Sequence, residues 1–168
     1  MTVVPNPFVY GEIVPSAAFV NRVDELDRLV SDLADGQKIF LISPRRYGKS
    51  SLIRHALRAL ARRGAITVEV TVSSFSSYVA FLEGYARALA EAERPREGAL
   101  SWLRDAIRSA RAEVRHPPKG SGEGRLAVAF PGVRSDREVS RLAQEVFALP
   151  GRLAVASGRP VAIALDEF

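Results

Sequence analysis

Short apolar runs alternate along this chain with segments of helical periodicity, and that alternation argues for an α/β architecture with a mainly parallel sheet. Asp24 to Leu33 sets Leu26, Leu29, Val30 and Leu33 at helical spacing, and Asp35-Gly36 closes the segment. Lys38-Ile39-Phe40-Leu41-Ile42 is short, apolar and followed by Pro44, which predicts a buried strand ending in a loop. From Gly48 to Arg63 the apolar Leu52, Ile53, Ala56, Leu57 and Leu60 share one helical face, with Gly64 as the stop. Ala65 to Val72 is β-branched and predicts a second strand. Helices are expected over Ser76 to Glu93 and Gly98 to Val114, then a proline- and glycine-rich connector from His116 to Gly124. Leu126 to Phe130 reads as a short strand before Pro131-Gly132, and a further helix runs from Asp136 to about Ala148, resuming toward Ser157. Val161 to Leu165 is another apolar strand, leading into Asp166-Glu167-Phe168. Ahead of all this, Pro5 to Pro15 is broken by prolines and Gly11 and reads as irregular lead-in.

At 168 residues, 47% hydrophobic and 26% charged, the chain can bury the core of one domain. Its longest apolar runs fall far short of the roughly 20 residues of a membrane span, and its first residues lack a secretory pattern, so a soluble, cytoplasmic protein without a membrane partner is expected. With no cysteine, disulfides, thiolate metal sites and cysteine nucleophiles are excluded. The net charge of +5 and pI near 10.1 suit a polyanion, and a nucleoside triphosphate is itself one. Nearly all the basic residues are arginines, so codon usage accounts for the bias equally well.

The chemistry concentrates at Ser43-Pro44-Arg45-Arg46-Tyr47-Gly48-Lys49-Ser50. A phosphate-binding loop works by curling successive backbone N–H groups around phosphate oxygens at a helix N-terminus, where the dipole also favours negative charge. Gly48 supplies a residue without Cβ at the tight point, Lys49 can reach the β and γ phosphates, and the Ser50 hydroxyl can ligate magnesium. The usual pattern opens on glycine, and here that position is Ser43. At the end of the last strand, Asp166 is suited to hold hydrated magnesium and Glu167 to orient or deprotonate an attacking water.

These residues resemble the archaeal-type ATPase family, related to STAND and AAA+ ATPases within the ASCE class of P-loop proteins. Phe19-Val20-Asn21-Arg22-Val23-Asp24-Glu25-Leu26 is similar to that family's F-x-G-R-x-x-E-L motif, 43–52 to its G-P-R-R-x-G-K-[ST]-S-L loop, which includes Ser51, and Val161 to Phe168 to its apolar strand ending in D-E-F. The resemblance implies a three-layer αβα P-loop domain over 19–168, after a lead-in of 1–18 and with a helical insertion at about 74–157. It implies a sheet order of second, third, first strand. It also implies that the chain is a fragment truncated after the Walker B strand, which leaves the edge of the Lys38 to Ile42 strand open to aggregation or partner pairing. The cofactors implied are ATP and Mg2+. Phe19, Val20 and Arg22 are implied to lie near adenine and ribose. Arg45 and Arg46 are implied to touch phosphates or a neighbouring subunit, with exposed loop charge as the alternative reading.

The function implied is ATP binding, with hydrolysis driving a conformational switch in a longer protein. Two other readings stand beside it. Arg54, Arg58 and Arg62 share one side of the first-loop helix and suit a DNA-associated, initiator-like module, or a plain solvated face. A non-hydrolysing interaction fragment, pairing with a protein partner or a second copy, is the third. His55 and His116 have no acidic or serine partner at telling spacing and suggest no other enzymology.

Overall fold

The computed structural model describes residues 22–44, 47–92, 113–115 and 126–167. The chain divides into two units, 1–65 and 66–168. The expected lead-in therefore lies outside the described residues, as do most of the Gly98 to Val114 helix and the His116 to Gly124 connector.

The first unit holds two helices, α1 (Val23–Ala34) and α2 (Lys49–Arg62), packed on each other. Their apolar stripes meet: Val30 of α1 and Leu52, Ala56, Leu57 and Leu60 of α2 are buried, in the helical spacing read from the sequence. α1 ends in a turn in which the Asp35 N–H donates to Ser31 O at 3.0 Å and the Gln37 N–H to Asp32 O at 3.0 Å. The chain then departs from expectation. Residues 37–44 form neither strand nor helix, and Phe40 and Ile42 are 88% and 93% exposed. The buried strand expected at Lys38 to Ile42, and the open edge reasoned from it, are absent from the described structure. A strand exists only through ladder bonds to a neighbour, so an apolar β-prone run without one has no local reason to adopt that state.

The second unit is built on a parallel pair, β1 (Ile66–Thr71) and β4 (Val161–Asp166), in register from Ile66 opposite Val161 to Thr71 opposite Asp166. β1 alternates strictly: Ile66, Val68 and Val70 are buried, while Thr67, Glu69 and Thr71 are half-buried. The buried face forms one core with α3 (Tyr78–Ala92) and α4 (Asp136–Ser157) through Leu82, Leu89, Leu142, Val146 and Leu149, all fully buried. Burial pushes the Tyr85 phenol within this core up to about 12.

Two further departures lie between these elements. Glu113 and Val114, expected to end a helix, instead form β2 (Glu113–Arg115) with Arg115, antiparallel to β3 (Ala127–Ala129). α4 also passes through Pro150 without stopping. Its missing N–H costs a helical bond, but Leu149 and Leu153 on either side are buried in the core and hold the helix across it.

A short 3-10 turn, Val72–Ser74, follows β1 and is braced from behind. Phe75 lies edge-on to Phe81 with centroids 5.8 Å apart and lies so close over Gly84 that a Cβ there would fall 2.1 Å from the ring. Gly84 is the residue that admits this contact, and any side chain there would displace Phe75 and with it the turn that begins at Val72.

Candidate functional site

The residues of the expected phosphate loop that the structure describes lie at and before the start of α2. Pro44 O accepts from the Tyr47 N–H at 3.4 Å, just before the helix. Gly48 follows as the N-cap with φ 71° and ψ 23°, a left-handed conformation that residues with a Cβ rarely adopt. Its carbonyl accepts the Leu52 N–H at 2.9 Å and so opens the helix. Lys49 and Ser50 form the first turn, half-buried, with Ser51 buried behind them, and each of the three has an interaction partner within the protein. No acidic residue occupies that turn. Ser43 is half-buried, and its hydroxyl donates to Pro44 O at 3.3 Å, a contact with the next residue. Arg45 and Arg46 lie outside the described residues, as do Phe19 and Val20.

Arg22 stands at the N-cap of α1, and its guanidinium reaches the loop. Nε donates to Glu25 Oε2 at 2.6 Å, Nη2 pairs with the same oxygen, and Nη1 donates to the Tyr47 carbonyl at 2.7 Å. Sequence reasoning named Arg22 but assigned no role to Glu25. The signal was present, since an Arg and a Glu three apart on a helix face each other.

The carboxylates lie in the second unit, at the end of the parallel pair. Asp166 is the buried carboxylate among the described residues, 6% exposed, with Oδ1 accepting the Glu167 N–H at 3.0 Å. Glu167 ends the strand in the left-handed region, φ 57°, the one non-glycine among the described residues to do so. Such a conformation costs roughly 1–3 kcal/mol and persists only where surrounding contacts impose it. Here they come from the turn after β1: the Ser73 N–H donates to Glu167 O at 3.0 Å, and the Ser73 hydroxyl to Glu167 Oε2 at 2.7 Å. Sequence reasoning missed Ser73. Its only trace is a hydroxyl directly after a β-branched run, which becomes informative once the two strands are known to be parallel and in register.

Ser50 and Asp166, the expected magnesium ligands, supply hard oxygen donors of the type that ion prefers. Among the described residues no group of three or more His, Asp or Glu side chains could hold a metal by itself. A magnesium ion that keeps several waters and takes phosphate oxygens needs no such group. Elsewhere, Arg58 and Arg62 of α2 are exposed and Arg54 is half-buried, while His55 is buried with a partner. No described helix is long and apolar enough to cross a membrane. Comparison with protein-family models, curated proteins and solved structures gives no match for this chain.

Proposed function

We propose that this chain is the ATP-binding part of a P-loop ATPase, which binds magnesium-ATP and, within a longer protein, hydrolyses it to drive a conformational switch. The observation that carries this reading is the start of α2. A left-handed Gly48 caps the helix, and Lys49 and Ser50 follow in a first turn without acidic residues. That arrangement directs backbone N–H groups and a cation at an incoming phosphate chain. In this reading Ser43, Pro44, Arg45, Arg46, Tyr47 and Ser51 complete the loop, Phe19 and Val20 lie on its nucleoside side, and Arg22 stands beside the loop. Ser50 in the loop and Asp166 at the strand end are the residues that would ligate Mg2+, and the ion would supply charge that offsets the phosphates. Glu167 orients the attacking water, and its left-handed backbone supports a functional role because strain of this kind concentrates at working sites.

Titration of the chain with a fluorescent ATP analogue and magnesium tests the reading. Lys49→Ala is expected to weaken binding by about a hundredfold through loss of a charge-assisted phosphate contact; unchanged binding removes the central claim. Glu167→Gln is expected to bind nucleotide normally and to slow hydrolysis by about 10²- to 10⁴-fold. Full turnover in that variant ends the assignment of Glu167.

A further inference from the structure

The Arg22 guanidinium is occupied in a way that the adenine and ribose assignment does not explain. Nε and Nη2 engage Glu25, and Nη1 holds the carbonyl of Tyr47, the residue directly before Gly48. The peptide joining Tyr47 to Gly48 is trans. In a trans peptide the carbonyl and the following N–H point in opposite directions within one plane. Fixing the Tyr47 oxygen toward α1 therefore fixes the Gly48 N–H to point away from α1. Nη1 also lies 3.9 Å from where a Gly48 Cβ would stand, so the guanidinium rests against the residue whose left-handed backbone opens α2.

We infer that Arg22 is a positioning residue of the phosphate loop: braced by Glu25, it holds the Tyr47 carbonyl so that the Gly48 N–H is presented to bound phosphate. The inference rests on the phosphate-binding role proposed above for this loop. It assigns the arginine to backbone orientation, not to the nucleoside and not to charge attraction. Glu25 separates these roles. Its carboxylate neutralises the guanidinium beside the loop, so removing that charge raises the local positive potential while loosening the brace. A charge role predicts tighter phosphate binding in Glu25→Gln; a brace predicts weaker binding.

The experiment measures magnesium-ATP and magnesium tripolyphosphate binding to the wild-type chain and to Arg22→Ala, Arg22→Lys, Glu25→Gln and Lys49→Ala. It also follows the Gly48 amide resonance without ligand. Arg22→Ala is expected to weaken both ligands equally, by about tenfold, the worth of a hydrogen bond from a charged donor. Arg22→Lys, which can still reach the carbonyl but not as a braced fork, recovers part of that loss. Glu25→Gln weakens both ligands by less, and the Gly48 resonance moves in Arg22→Ala. Should Arg22→Ala lose α1, Glu25→Gln carries the test, since it keeps the side chain's volume. Tripolyphosphate affinity that survives Arg22→Ala while ATP affinity falls returns Arg22 to the nucleoside. Tighter binding in Glu25→Gln, or an unmoved Gly48 resonance, overturns the brace. Tripolyphosphate binding that is absent, or indifferent to Lys49→Ala, ends the phosphate-loop reading itself. The positioning role falls with it, and a Gly48 shift in that case marks a purely structural contact.

Discussion

The starts of α2 and α4 solve the same problem in opposite ways. Every helix leaves its first N–H groups without intrahelical partners. α4 satisfies its own: the Ser135 hydroxyl accepts the Glu138 N–H, Glu138 accepts from the Ser135 N–H at 2.9 Å, and Asp136 adds a second negative charge to the first turn. α2 has neither device. Its N-cap is Gly48, which brings no side chain, and its first residue is a lysine, which the helix dipole disfavours at that end. Under the phosphate-binding role proposed for this loop, the stability forgone at α2 goes with a helix start that takes an external anion. α4, closed by its own carboxylates, has no such use.

That contrast can be broken from either side. The largest effect is expected from Lys49→Asp, which gives α2 the acidic first position that Asp136 gives α4. Nucleotide binding should fall further than in Lys49→Ala, by about a thousandfold in all, while the helix gains about 0.3–1 kcal/mol from its dipole. Denaturant unfolding beside a nucleotide titration reads both. Equal binding in the aspartate and alanine variants refutes the anion-receptive character of this end. The mirror experiment, Ser135→Ala, should cost about 1 kcal/mol of stability and leave nucleotide affinity unchanged; a loss of affinity there would show that the two helix starts do not act separately.

The smallest effect is a pH dependence. The Arg134 N–H, then the Ser135 hydroxyl and N–H, hold the Glu138 carboxyl below the ordinary glutamate range. A carboxyl lowered in the folded state stabilises it above the unfolded pKa, and that contribution is lost as the pH falls through the folded value. Wild type should therefore lose slightly more stability than Glu138→Gln on acidification below pH 4.5, measured by thermal unfolding. Parallel curves for the two proteins would remove the carboxylate from the cap.

Local signals in the sequence were read well where the neighbours that matter lie within a turn or two. The apolar stripes of α1 and α2, the β-branched run of β1 and the apolar run of β4 each declare their own state. The reading failed at Lys38 to Ile42, a run about as apolar as β4 whose residues take part in no described ladder. It failed again at 113–115, where strand formation depends on Ala127–Ala129 across the connector. The helix expected to pause after about Ala148 instead runs unbroken through Pro150, a local breaker overridden by burial on both sides of it.

By itself the sequence determined the chemistry on offer: a glycine, lysine and serine at one helix start, and an aspartate and glutamate at one strand end. It also determined most element boundaries, because backbone propensity and periodicity act over a few residues. Only the tertiary structure decided how those groups are held. Arg22 meets the Tyr47 carbonyl across 25 positions of chain, and Ser73 meets Glu167 across 94. Contacts at such separation depend on the register of the strands and the packing of the helices, which no local pattern encodes.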